Sequence, residues 1–82
     1  MKIKFYTTDW CGDCVRSKAL LNKLNVDFEE INVDINSEAN EYITKLQNKQ
    51  RRIPTIVFED NTFLVEPSDV ELELKLKQLN YI

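Results

Sequence analysis

Trp10-Cys11-Gly12-Asp13-Cys14 decides how this chain reads, because it holds both cysteines and the only glycine of the 82 residues. Immediately before it, Ile3, Phe5 and Thr7 alternate with Lys2, Lys4 and Tyr6, the two-residue period of a strand over residues 2–7. After it the period becomes helical from Gly12 to Leu24, with Val15, Ala19, Leu20 and Leu24 on one broad apolar face. A Cys-x-x-Cys at a strand-to-helix junction is the arrangement of a dithiol/disulfide redox centre, in which one thiol attacks and the other resolves. The helix start offers unpaired N–H groups and the positive end of a dipole, and both favour thiolate over thiol. A glycine used once, and used there, predicts a turn that needs backbone latitude.

Composition narrows the classes. Eighty-two residues at 43% hydrophobic and 30% charged predict one domain, residues 1–82, with a small core. Two cysteines this close together do not make a disulfide-stapled secreted scaffold. Met1-Lys2-Ile3-Lys4-Phe5 reads as a strand rather than a signal peptide, and no long apolar region follows. No apolar run approaches the ~20 residues that span a bilayer. The expected compartment is a reducing cytoplasm, where a catalytic disulfide can cycle, and no membrane partner is expected. A net charge of −3 argues against nucleic acid as a partner. The absence of histidine removes the Cys–His nucleophile and the Cys/His zinc site, and a zinc ribbon needs a second cysteine pair, so no metal site is expected.

The remaining elements follow from pattern and caps. Asn25 can end the first helix in a left-handed conformation. Phe28 to Val33 is the second strand. Asn36 or Ser37 caps a second helix, with Ala39, Tyr42, Ile43 and Leu46 at helical spacing and Lys45, Lys49, Arg51 and Arg52 bringing positive charge to its C-terminal end. Thr55 to Glu59 is a buried strand, Asp60-Asn61 a two-residue turn and Thr62 to Val65 its hairpin partner. Glu71 to Lys77 alternates like a strand, but its Leu, Glu and Lys are helix formers, and Ser68-x-x-Glu71 is a capping box after Pro67. Leu72, Leu76 and Leu79 then face the sheet and Leu74 is more exposed. The order is β-α-β-α-β-β-α. The first crossover requires a parallel pair and the hairpin an antiparallel one, giving a small mixed sheet with helices on its faces.

The Trp-Cys-x-x-Cys start, Ile53-Pro54-Thr55 and this element order resemble a glutaredoxin of the thioredoxin superfamily over essentially the whole chain. The Cys-x-x-Cys-x-x-x-Lys pattern ending at Lys18, Arg51-Arg52-Ile53-Pro54-Thr55 and Leu64-Val65-Glu66-Pro67-Ser68 are similar to mycoredoxins and related small glutaredoxins, which pair R-x-[VI]-P-T with L-x-x-P-S. The resemblance implies an α/β, thioredoxin-like fold of glutaredoxin size, with a mixed four-stranded sheet and three helices on its faces. Three features depart from the family pattern. Gly12-Asp13 stands where Pro-Tyr or Gly-Tyr is usual. Glu66-Pro67-Ser68-Asp69 replaces the Gly-Gly and Asp pattern that binds the glutathione γ-glutamyl end. Thr8-Asp9-Trp10 stands where a lysine is often found just before the motif. The ribonucleotide-reductase-linked redoxins are a less good match, because their Trp-Ser-Gly-Phe stretch is missing.

Within this frame Cys11, at the exposed helix edge, is the expected nucleophile, and Cys14, one turn deeper, the resolving thiol. Asp13 carries two readings: its charge suits a helix N-terminus, and it opposes a thiolate at Cys11, with Arg16 and Lys18 as offsets. Trp10 either covers the site and contacts substrate or is a partly buried core aromatic. The resemblance implies a cis Ile53-Pro54 bond, which exposes the Ile53 backbone to pair with substrate. It also implies that Arg51 meets the carboxylate of a small thiol, where the plain alternative is helix C-terminal charge. Ser68 and the N–H groups that follow it, from Asp69 on, form a candidate anion site, where capping alone is a sufficient explanation.

The function implied is a cytoplasmic thiol–disulfide oxidoreductase that reduces protein disulfides or mixed disulfides with a low-molecular-weight thiol. Its co-substrate is glutathione, mycothiol or bacillithiol, or its electrons come from a flavin-dependent disulfide reductase. No bound cofactor beyond the redox-active disulfide is expected, and the protein is expected to be a monomer. The alternative is an iron–sulfur cluster carrier that uses Cys11 in a dimer with external thiols, although such carriers usually have Ser at the position of Cys14. A third class, an interaction module with a vestigial motif, fits an intact cysteine pair least well.

Overall fold

A computed structural model describes residues 2–82; Met1, the first residue of the stretch read as strand rather than signal peptide, lies outside the described residues. The elements are β1 (Ile3–Thr7), α1 (Gly12–Lys23), β2 (Phe28–Asn32), α2 (Ser37–Leu46), β3 (Thr55–Val57), β4 (Phe63–Val65) and α3 (Asp69–Gln78). This is the β-α-β-α-β-β-α order read from the sequence. The four strands form one sheet in the order β2-β1-β3-β4, with β1 parallel to β2 and antiparallel to β3, and β3 antiparallel to β4. The fold is thioredoxin-like and of glutaredoxin size.

β1 is the central strand, and burial on both faces follows from that place. Ile3 and Phe5 are fully buried, Tyr6 and Thr7 nearly so, and only Lys4 reaches solvent. Phe5 stacks at a tilt against Phe28 of β2, while Tyr6, on the opposite face, meets Tyr42 of α2. Burial, followed by the proximity of Tyr42 and Glu29, raises the Tyr6 hydroxyl above its ordinary pKa. The core combines these strand residues with Leu21, Ile43, Ile56, Leu72 and Leu76.

Capping fixes the helix starts. The Asn36 side chain accepts the Ala39 N–H at α2. At α3, Ser68 Oγ accepts the Glu71 N–H while Glu71 Oε1 accepts the Ser68 N–H, which is the complete capping box. Leu72 and Leu76 are buried, Leu79 is half-buried and Leu74 is exposed, as the helical reading requires. Asn25 ends α1 at positive φ.

Three details differ from the sequence reading. The inner face of α1 is Cys14, Ser17 and Leu21, with Leu20 and Leu24 partly buried, whereas Val15 is 66% exposed and Ala19 is exposed. The small Cys14 and Ser17 side chains occupy the side of α1 that turns inward. The β3–β4 connection is longer than two residues. Val57 pairs with Phe63, Phe58 N–H donates to the Thr62 carbonyl, and Asn61 takes positive φ, while Asp60 accepts from the Thr62 amide and hydroxyl. The sole glycine needs no special conformation: Gly12 is not at positive φ, and a Cβ there would meet nothing within 4 Å.

Leu76 is fully buried on α3, so Leu76→Ala leaves a cavity and should cost about 2–5 kcal/mol, read as a lower urea midpoint at an unchanged slope. A loss below about 1 kcal/mol would show that α3 does not seal the core.

Candidate active site around Cys11 and Cys14

The end of β1 and the start of α1 place the cysteine pair. Cys11 is the N-cap of α1, in an extended conformation, and its Sγ accepts the Cys14 N–H at 3.1 Å, where a Ser or Asp oxygen would ordinarily cap. Cys14 is one turn in, on the buried face of the helix. The two sulfurs are joined in a disulfide. Cys11 is not at the expected exposed helix edge, being only 7% exposed, whereas Cys14, at 3%, lies deeper as expected. The bond turns Cys11 Sγ inward toward Cys14 and to within 3.9 Å of the Ile53 carbonyl oxygen.

The Ile53–Pro54 peptide bond is cis, with Ile53 and Pro54 both buried, and the Pro54 carbonyl accepts the Glu66 N–H at 2.9 Å. Gln47, the C-cap of α2, sets the approach to this bond. Its side chain accepts the Arg52 N–H at 3.1 Å and donates to the Arg52 carbonyl and to Thr55 Oγ1. Arg51 and Arg52 therefore lie in an anchored loop, not on the last turn of α2. Arg52 pairs with Glu66 at 3.0 Å and Arg51 pairs with Asp34.

Trp10 is no core aromatic: it is 70% exposed and its indole N–H donates to Asp34 at 3.0 Å. Asp34 joins the residue before Cys11 to the loop before Pro54. The Arg51 hydrogen bond first, then that from Trp10, holds the Asp34 carboxyl below the ordinary aspartate range. Asp13 is solvent-exposed and lies 3.8 Å from Arg16, so the expected offset comes from Arg16; Lys18 instead pairs with Glu30 at 3.0 Å. Arg16 also donates to the Pro67 carbonyl at 3.0 Å and lies 3.8 Å from Asp69, which links α1 to the start of α3. Ser68 is engaged in its capping box, and its backbone N–H first, then its side chain, hold the Glu71 carboxyl below the ordinary glutamate range.

The structure thus places the Ile53 carbonyl against Cys11, links Trp10 to Arg51 through Asp34, and ties Asp13, Arg16 and Asp69 together at the start of α3. The sequence reading missed Asp34 and Gln47. Both are polar residues just past an element's end, and only the tertiary fold shows what they reach. Among the described residues no group of three or more His, Cys, Asp or Glu is placed to hold a metal ion, and no helix is long and apolar enough to cross a membrane.

A family model for glutaredoxin matches residues 3–63. Over 77 residues the chain is 32% identical to a putative glutaredoxin of Mycobacterium tuberculosis, covering 94% of this chain and 92% of that relative. Over 78 residues it is 31% identical to mycoredoxin 1 of Corynebacterium glutamicum, covering 94% and 95%. The chain belongs to the glutaredoxin family. The backbone of this glutaredoxin-family protein superposes on the thioredoxin-like protein BC3987 with a TM-score of 0.74, at 29% identity over 95% of this chain and 99% of that one. It superposes on the glutaredoxin-like NrdH-redoxin from Escherichia coli with a TM-score of 0.72, at 29% identity over 90% and 95%. Together with the Cys11–Cys14 disulfide at the strand-to-helix junction, membership makes it a thiol–disulfide oxidoreductase.

The Asp34 junction has a defined pH signature. A carboxyl whose folded value lies below its ordinary 3.8 contributes stability that is present above that value and lost as pH falls through the lower folded one. The difference in urea midpoint between wild type and Asp34→Asn should be constant from neutrality down to about pH 5 and shrink below about pH 4. A difference that widens on acidification would contradict the pairing.

Proposed function

We propose that this protein uses Cys11 as the attacking thiol and Cys14 as the resolving thiol to reduce protein disulfides and mixed disulfides capped by a low-molecular-weight thiol. The observation that carries the reading is the position of Cys11 Sγ. It receives a backbone N–H at the positive end of α1, so charge developing on that sulfur is stabilised.

In the reduced protein the Cys11 thiolate attacks one sulfur of the client's disulfide. One S–S bond breaks as another forms, and the client leaves as thiolate. Cys14 then attacks the Cys11 sulfur of the mixed disulfide, expels the second thiol and closes the Cys11–Cys14 disulfide. The dithiol has given up two electrons. With a small-thiol cap the second step can instead be performed by a free small thiol. The Ile53 carbonyl, 3.9 Å from Cys11 Sγ, gives a bound client a backbone edge to pair with. Trp10, exposed beside it, offers an apolar face.

The mycoredoxin relative favours a small thiol as electron donor; glutathione, mycothiol and bacillithiol are the candidates. We place the protein in the cytoplasm as a monomeric single domain, where a reducing thiol pool can reopen its disulfide. An intact Cys14 sets this reading above a cluster carrier that uses Cys11 alone.

Cys11→Ser should abolish both reactions. Cys14→Ser should lose reduction of protein disulfides yet keep removal of a small-thiol cap when that thiol is supplied, as followed by peptide mass. Retention of both activities by Cys11→Ser would sink the assignment.

Asp13 adds a negative charge next to the motif. Asp13→Asn should therefore bring the ultraviolet thiolate absorbance of reduced protein to lower pH, and the shift should shrink in high salt because the side chain is exposed. An unchanged titration would mean that Arg16 already neutralises this charge.

A further inference from the structure

Both oxygens of Asp34 are used at the site. One accepts the Trp10 indole N–H at 3.0 Å, and the other takes the Arg51 guanidinium. Trp10 immediately precedes Cys11, and Arg51 lies two residues before Ile53, whose carbonyl is 3.9 Å from Cys11 Sγ. The backbone of Asp34 is held as well. The Asp34 N–H donates to Asn32 Oδ1 at 2.9 Å, and the Asn32 amide donates to Asp9 at 3.0 Å. Asp34 is therefore an anchored acceptor.

A guanidinium fork is shaped to receive a carboxylate, and here one nitrogen of Arg51, Nη2, already holds an internal one. A second carboxylate, brought by a thiol bound at Cys11, has to displace Asp34 or sit beside it against like-charge repulsion. The neighbouring cations are committed too: Arg16 to Asp13, Asp69 and the Pro67 carbonyl, Arg52 to Glu66, and Lys18 to Glu30. Hydroxyl-rich or otherwise uncharged caps meet no such competition.

We propose that Asp34 is a specificity-determining residue, an internal carboxylate that occupies Arg51 and so selects against thiol caps bearing carboxylates and in favour of uncharged ones. The inference rests on the small-thiol reading above and deepens it by naming the class of cap. Asp34 acts through Arg51 and does not touch the reacting sulfur, so it is a positioning residue.

The test uses the reduced protein in single turnover on a peptide whose cysteine is capped either with glutathione, which carries carboxylates, or with mercaptoethanol, which carries none. In both reactions the protein dithiol supplies two electrons, the peptide thiol and the cap thiol are released, and the Cys11–Cys14 disulfide forms. Discrimination is the limiting rate over the half-saturating concentration for the glutathione cap, divided by the same quantity for the mercaptoethanol cap. Asp34→Ala and Asp34→Asn should raise this ratio about threefold to tenfold, through the half-saturating concentration for the glutathione cap and not through the limiting rate. Adding Arg51→Ala should remove the gain, and Asp34→Glu, which keeps the charge, should hold the ratio within about twofold of wild type. Asp34→Asn retains an acceptor for Trp10, and emission from this sole tryptophan confirms that the loop is intact. A ratio that stays put in both neutral variants, or a gain that survives loss of Arg51, overturns the role of Asp34 and leaves the small-thiol reading standing. A wild-type protein that releases neither cap overturns the small-thiol reading and this inference with it.

Discussion

The Cys14 N–H donated to Cys11 Sγ at 3.1 Å is the contact around which the molecule is arranged. A helix must satisfy its first amides, and α1 satisfies one of them with sulfur. The cap that starts the helix is thus also one half of the redox-active disulfide. Because Cys11 caps, Cys14 falls one turn in, on the face shared with Ser17 and Leu21. The Cys14 sulfur is thereby kept from solvent and close to that of Cys11. The central strand β1, buried on both faces, fixes where the cap is presented.

Around that contact the chain closes with polar staples in its loops. Asp34 joins the loop before Cys11 to the loop before Pro54, Gln47 clamps the Arg52 peptide, and Arg16 ties α1 to the Pro67 carbonyl at the start of α3. Exposed ion pairs of this kind contribute little to stability one by one. Their effect is positional. They leave Arg51, Arg52 and Lys18 paired.

Much of this was legible in the sequence because local rules agree with one another. The strand period before Cys11, the Asn36 cap and the Ser68–Glu71 capping box each named an element that the structure contains. The face of α1 was less legible. Counting apolar residues pointed to Val15 and Ala19, but the buried positions are Cys14, Ser17 and Leu21, because small side chains sit on the inner side. Gly12 misled in the same way, since rarity suggested a conformational need that its backbone does not have. The Arg51 and Arg52 charges read as helix-end complements until the loop carried them to Asp34 and Glu66. Those partners are 17 and 14 residues away, and no local pattern encodes such pairings.

The central claim is that the Cys11–Cys14 disulfide is a working redox couple and not a structural tie. A redox titration with alkylation and peptide mapping of both thiols addresses it directly. The account predicts that Cys11 and Cys14 appear and disappear together as one reversible two-electron couple, with a midpoint in the range of redox-active centres, about −120 to −270 mV. A midpoint below about −300 mV, where structural disulfides lie, would contradict it.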